Sequence, residues 1–303
     1  MPNKFQNNLL VHRPSVGLVL SGGGARGLAH IGVLRVLERE GIPVDYLSGA
    51  SMGGVIAAGY AAGMSSYDLE QEALAITRKR RLLRLIDPGL KNGGVIRGQR
   101  LLDFFRQELG DRTFSELSLP LALVAVDLNS SQEVVLREGP VALALRATIS
   151  IPGLFEPVEM NGWRLIDGGA LNNLPVDVAS GMGAEIVIAV DIGQNCKVGI
   201  GHWIGNHRWI PGGISTMLEV IDDTLYAVRI PEQENKLRLF PPDVLIRPDL
   251  PINVNTVSGY DRVGELVATG ERAAEEHLSE IKALLTRADK DFQAEERNSW
   301  VSA

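Results

Sequence analysis

The chain has 303 residues, with 30 Lys plus Arg against 37 Asp plus Glu and a net charge of −7. That length supports one large or two modest domains, and the acidic balance argues against general nucleic-acid binding, which needs a basic face. The single cysteine, Cys196, excludes an internal disulfide framework and a cysteine-rich zinc site, and it fits a reducing, cytoplasmic compartment.

Residues 1–14 have no apolar core of the kind a secretory signal needs and read as an N-terminal extension. Val16–Leu20 (VGLVL) is a short apolar run suited to a buried parallel strand. The glycine-rich SGGGARG follows, and then Leu28–Arg39 with Ile31, Leu34 and Leu37 at helical spacing. Val44–Ser48 predicts a second strand, a turn at Gly49–Ser51 and a helix over Met52–Ala62. The 22 residues between Asp45 and Asp68 carry no charge, which is long enough to span a membrane. Their content of Gly49, Gly53, Gly54, Gly59, Gly63 and four serines fits a tight turn and a small-residue helix instead. Two strand–turn–helix units in succession indicate an α/β fold with a parallel sheet.

Leu121–Leu128 and Glu185–Ile192 are two further buried strands. Between them, Glu156–Met160 and Trp163–Asp167 flank Asn161-Gly162, a strong short hairpin signal. That hairpin puts Asp167 at the end of its second strand. A long helix is predicted over Asp261–Leu285, followed by a polar, frayed tail from Asp289. The division is an extension at 1–14, a main domain at 15–192, an insertion and helical part at 193–288 packed on the same domain, and a flexible tail at 289–303.

Gly22, Gly24 and Gly27 satisfy G-x-G-x-x-G between a strand and a helix, and Asp45 lies 21 residues after Gly24. This is close to a dinucleotide-binding fingerprint and raises an oxidoreductase as one reading. The same backbone N–H groups at a helix start also suit an oxyanion, and a plain tight turn needs no ligand. Gly49-Ala50-Ser51-Met52-Gly53 is G-x-S-x-G in strand–turn–helix context, which exposes a serine on a sharp elbow. The alternative is a turn whose serine only caps the helix. A nucleophilic serine needs a base. Of His12, His30, His202, His207 and His277, His30 falls on the first helix, His277 in the C-terminal helix pattern and His202 and His207 in the insertion; none matches the late-loop histidine of an ordinary hydrolase triad convincingly, so the base is sought among carboxylates. Asp167-Gly168-Gly169 closes the hairpin and leaves room beside its carboxylate, although a surface turn has the same composition.

SGGGARG, GASMG and DGG in this order, each after a strand, resemble the patatin-like phospholipase family over about Val16–Ile192. ATISIPGLFEPV and DGGALNNLPV resemble the family's segments around its aspartate. The resemblance implies a three-layer α/β/α sandwich with a mainly parallel central sheet. It implies a lipid acyl hydrolase of phospholipase A or lysophospholipase type, with Ser51 as nucleophile and Asp167 as general base, acting without histidine, cofactor or metal. Gly23 and Gly24 would supply the oxyanion hole and Arg26 would neutralise an oxyanion or phosphate. Gly22, Gly27, Gly49, Gly53, Gly168 and Gly169 are the motif glycines. A non-enzymatic regulatory protein on the same fold is the alternative, and the intact Ser51 and Asp167 argue against it.

Arg78–Arg106 holds nine Lys or Arg against two Asp or Glu. Its run RKRRLLRLI mixes cations with Leu and Ile, as interfacial helices do, and suggests peripheral contact with an anionic membrane. A solvated face explains the run equally well. Trp203 and Trp209, in a glycine-punctuated stretch, suggest a lid or membrane contact, with core packing as the other option.

Overall fold

The computed structural model describes residues 13–78, 84–89, 92–193 and 212–301. Apolar runs bounded by glycine and polar turns form ten strands: β1 (Val16–Leu20), β2 (Tyr46–Gly49), β3 (Gly94–Ile96), β4 (Leu121–Asp127), β5 (Gln132–Leu136), β6 (Gly153–Phe155), β7 (Val158–Met160), β8 (Trp163–Asp167), β9 (Ile186–Val190) and β10 (Val244–Ile246). The helices are α1 (Ala29–Arg39), α2 (Ser51–Ala61), α3 (Ser66–Arg78), α4 (Gln99–Leu109), α5 (Val141–Thr148), α6 (Val176–Gly181), α7 (Gly212–Leu239) and α8 (Val263–Val301). The main sheet runs β10-β9-β1-β2-β4-β8-β7, with β5 also paired to β4. From β10 to β4 every pairing is parallel; β5, β8 and β7 join antiparallel. The alternation of β1 explains the layers. Val16, Leu18 and Leu20 enter the large core with α1, α2 and α8, whereas Val19 packs in a second core with Val176 and Ala179 of α6. Helices therefore cover both faces, and the fold is a three-layer α/β/α sandwich.

The Asn161-Gly162 turn has both residues at positive φ, 53° and 83°, as a two-residue hairpin with right-handed twist requires. The last helix is longer than the periodicity predicts and continues past Asp289 to Val301. Helix α7 was not read from the sequence at all. The Trp203 and Trp209 lid expectation, and Lys79, Arg80 and Arg81 of the basic run, lie outside the described residues, as do residues 1–12 of the N-terminal extension.

The register of β4 decides where the site forms. β5 takes one edge of β4 from Leu123 to Asp127. The other edge is shared. β2 pairs along it to Gly49, opposite Leu123, while β8 comes from the opposite direction and ends at Asp167, opposite Ala125. Two strand ends therefore point toward each other along a single edge.

Helices α1 and α8 fix the glycine loop that precedes α1. They approach closely because glycines stand at the crossing. A Cβ on Gly32 would lie 2.0 Å from the Val267 carbonyl oxygen, and one on Gly270 would lie 1.9 Å from that of Ala29. Backbone atoms cannot yield as a side-chain tip can. Gly32→Ala is expected to destabilise the protein by about 1–3 kcal/mol, as overpacking does. Urea unfolding followed by circular dichroism measures it, and an unchanged midpoint would contradict the crossing.

Candidate active site

Glycine and small residues let the two strand ends meet. Ser51 opens α2 directly after β2 and takes φ +50°, the left-handed region that a non-glycine residue enters at a cost of about 1–3 kcal/mol. Gly53 sits two residues on, where a Cβ would strike the Leu20 carbonyl oxygen at 2.1 Å. A Cβ on Gly49 would also be too close, 2.8 Å from the Gly54 nitrogen. The Ser51 N–H donates to Thr148 Oγ1 at 3.0 Å, and that hydroxyl donates to the Val124 carbonyl at 2.6 Å. Thr148 thus ties the elbow to β4; it lies in the ATISIPGLFEPV segment, but the sequence assigns it no role of its own.

Asp167 ends β8 and is only 6% exposed. Its N–H donates to the Ser150 carbonyl, and its Oδ1 accepts from the Gly169 N–H at 2.7 Å. Ser51 lines the same small cavity as this carboxylate. Burial raises the Asp167 pKa to about 6, against the lowering influence of Ser51, of the Gly169 N–H and of the positive Arg229. Gly168 allows the turn because a Cβ there would lie 2.2 Å from the Val124 carbonyl oxygen.

The glycine loop lies on the other side of Ser51. A Cβ on Gly22 would approach Ser51 Cβ at 2.9 Å, and one on Gly27 would meet Met52 Cγ at 2.3 Å. Asn173 joins this loop to the aspartate turn. Its carbonyl accepts from the Gly22 N–H, its Nδ2 donates to the Gly22 carbonyl, and its Oδ1 lies beside Gly169. The N–H groups of Ala25 and Arg26 donate to the carbonyls of Asn255 and Gly23. Gly23 and Gly24 line the small cavity that holds Ser51 and Asp167. Gly24 is also a packing position: φ is +57°, and a Cβ would lie 2.0 Å from Thr256 Cα.

Arg26 is not brought to this cavity. It is buried within the short turn Gly24–Leu28 and lines neither of the cavities that contain Ser51. Arg229 of α7 does line the small one, beside Tyr226 and Leu225. His30 is fully buried, bonded through Nε2 to the Ser21 carbonyl at 2.8 Å, and burial lowers its pKa to about 4. His277 bonds the Ala273 carbonyl on α8. His12, His202 and His207 lie outside the described residues. Asp45, the acid of the dinucleotide reading, is engaged by Arg13 in two 2.6 Å bonds and by the Val16 N–H. Among the described residues no group of His, Cys, Asp or Glu is arranged to hold a metal ion.

Ser51 stands at a junction. On one side is the small cavity of about 50 Å³ with Asp167 and Arg229. On the other is an apolar cavity of about 280 Å³, lined by residues that include Met52, Ile56, Leu69, Phe104, Phe105 and Leu145.

A family model described as patatin-like phospholipase matches residues 18–180, more than half of the chain. The chain belongs to the patatin-like phospholipase family. It is 38% identical over 179 residues to an uncharacterized NTE family protein of Mycobacterium tuberculosis, covering 59% of this chain and 49% of that protein. It is 36% identical over 186 residues to patatin-like phospholipase domain-containing protein 6 of Mus musculus, covering 59% of this chain and 14% of that protein. The match thus spans about half or less of the length of these curated relatives. VipD from Legionella pneumophila aligns with a TM-score of 0.47 at 13% identity, covering 88% of this chain and 67% of the VipD chain.

A buried carboxyl with a raised pKa opposes folding once the unfolded chain ionises near its ordinary value of 3.8. Below that value both states are protonated and the effect vanishes. Between 3.8 and about 6 only the unfolded state ionises, so stability falls as pH rises. At neutral pH the cost is about 3 kcal/mol. Asp167→Asn is therefore expected to raise the melting temperature at pH 7.5, with the gain disappearing by pH 4. A gain that persists at pH 4 would assign it to packing rather than to the buried charge.

Proposed function

We propose that this protein is a serine lipid acyl hydrolase that cleaves carboxylic esters of lipids, of phospholipase A or lysophospholipase type. The observation that carries the reading is the position of Ser51, beside buried Asp167 and at the mouth of an apolar cavity. The acyl chain occupies the apolar cavity, which brings its carbonyl to Ser51 and directs the alcohol toward the small cavity. Asp167 takes the hydroxyl proton as Oγ attacks the carbonyl carbon. The N–H groups of Gly23 and Gly24 donate to the oxyanion, each worth about 3–4 kcal/mol in the transition state. The protonated Asp167 returns its proton to the leaving alkoxide, giving an alcohol and an acyl-Ser51 ester. Water, deprotonated by Asp167, then attacks that ester and releases a fatty acid and free Ser51.

Asp167→Asn keeps the shape but cannot accept the proton, and is expected to lose at least about a thousandfold in kcat. Ser51→Ala should lose as much, and the double variant little more, because the two act as one unit. His30→Ala and His277→Ala should each retain at least about a tenth of the rate if folded. The wild-type acid limb should follow the apparent pKa of Asp167, near 6. A mass-spectrometric assay on a lipid panel, run beside fluorophosphonate labelling, tests the reading. Absence of both labelling and hydrolysis would favour a non-enzymatic regulatory protein.

Peripheral contact with an anionic membrane through Arg78–Arg106 belongs to the same proposal. Arg84, Arg100 and Arg106 are exposed there. Such attraction is screened by salt. Binding to phosphatidylserine-containing vesicles should fall as sodium chloride rises from 50 to about 500 mM, where the screening length shrinks to a few ångströms. Binding that is independent of salt would remove this part.

A further inference from the structure

Arg26 is expected to neutralise an oxyanion or a phosphate, and the structure lines the small cavity beside Ser51 with a different arginine, Arg229. Helix α7 carries Arg229, Gln233 and Lys236 at spacings of four and three residues, so they share one face. Two of them anchor that face. Gln233 Nε2 donates to Asp191 Oδ2 at 3.0 Å. Lys236 Nζ bonds Glu133 at 2.6 Å and Asp177 at 3.0 Å, and Asn172 bonds the same two carboxylates. The third, Arg229, projects from this pinned face into the small cavity. Its guanidinium lies 5.4 Å from the centre of the Tyr226 ring, and one terminal nitrogen reaches the Gly193 carbonyl at 3.4 Å. Among the described residues Arg229 and Asp167 are the charged side chains in the lining, and Ser51, Asn173, Tyr226 and Thr256 are its other polar side chains.

This distribution of charge is asymmetric. The acyl side of Ser51 is mostly apolar, and the charged side chains in its lining, Glu72 and Glu108, are both acidic, whereas the alcohol side holds a half-buried guanidinium. A neutral leaving alcohol makes no use of that cation. A phosphate does, since a planar guanidinium presents paired donors that match phosphate oxygens. During acylation Asp167 takes up a proton and becomes neutral, which leaves Arg229 as the formal charge facing the departing alcohol.

We propose that Arg229 selects the substrate by its leaving group, binding a phosphate carried on the alcohol of the scissile ester. The proposal rests on the ester-hydrolase reading above. Arg229 is then a specificity residue supplied by α7, outside the three motifs that carry the chemistry.

The test compares 1-oleoylglycerol with 1-oleoylglycerol 3-phosphate, both dilute in neutral detergent micelles at pH 8. The acyl chains are identical, and Asp167 is ionised in the free enzyme at that pH. The readout is the ratio of kcat/KM for the two esters. Wild type should prefer the phosphate ester by at least about tenfold, and R229Q should remove most of that preference, mainly through KM. R229K, which keeps the charge but loses the fork, should fall between them. Isothermal titration of Ser51→Ala with an ether analogue of the phosphate ester should show binding that weakens about tenfold on adding R229Q. If R229Q does not fold, R229K decides: a preference at least threefold below wild type supports the assignment, and an unchanged preference overturns it. Equal loss on both esters would make Arg229 a structural tether and overturn it too. Inorganic phosphate that competes as strongly as the ether analogue would indicate a free-anion site and reject the headgroup assignment. Hydrolysis of neither ester by wild type would instead remove the hydrolase reading itself.

Discussion

Two strand ends converging on one edge of β4 create the site. β2 ends opposite Leu123 and β8 ends opposite Ala125, so Ser51 and Asp167 emerge into the same small volume from opposite directions. A purely parallel sheet would send both ends the same way and hold them a strand spacing apart. The antiparallel β8 is therefore what brings a carboxylate to the small cavity that Ser51 also lines. It is held from below by Thr148, which bonds both the Ser51 N–H and β4, and from the side by Ser150, which accepts from the Asp167 N–H.

That convergence is possible only where side chains are absent. Gly53 clears the Leu20 carbonyl, Gly168 clears the Val124 carbonyl, and Gly22 clears both Ser51 and Asn173. Each of these glycines is a close approach to backbone or to a site residue. Arg146 complements them by filling a gap with polar bonds. Buried on α5, it donates to the carbonyls of Arg97, Gly98 and Glu156 and to Ser150 Oγ. One guanidinium so joins the 97–98 segment, the aspartate-supporting Ser150 and the approach to β7. Its burial lowers its pKa to about 10, still leaving it charged at neutral pH.

Much of this was legible because the motifs are local. The Ser51 elbow, the Asn161-Gly162 turn and the Asp167 turn each depend on residues within five positions, where glycine has a direct steric meaning. Four parallel strands, β1, β2, β4 and β9, were legible as short apolar runs, whereas the three-residue β3, β6 and β10 were not. What escaped is long-range. Thr148 and Asn173 lie in segments marked by the resemblance, but their individual roles emerge only when the sheet brings them to Ser51 and Gly22. Arg26 stood out because it neighbours the glycine loop in sequence, but the turn at Gly24–Leu28 buries it away from both cavities. Helix α7 escaped because Pro231 interrupts its middle and its apolar positions do not form a clear stripe. Arg229 was hidden with it.

The same dry interior explains why an aspartate rather than a histidine suits the mechanism proposed here. Removing water disfavours whichever form of a group is charged. For an acid that raises the pKa, and for an imidazole it lowers it. Both cases stand within a few residues of Ser51 in the fold. Fully buried His30, bonded to Ser21 behind the glycine loop, is driven down to about 4 and is left neutral with little affinity for a proton. Buried Asp167 is driven up to about 6 by the same physics. Of these two buried groups the carboxylate is the stronger base, the reverse of their order in water. Arg229 then limits how far the rise goes, because its charge favours the ionised carboxylate. A base held near 6 is ionised at neutral pH and still able to carry a proton through the transition state, which is the compromise a general base requires.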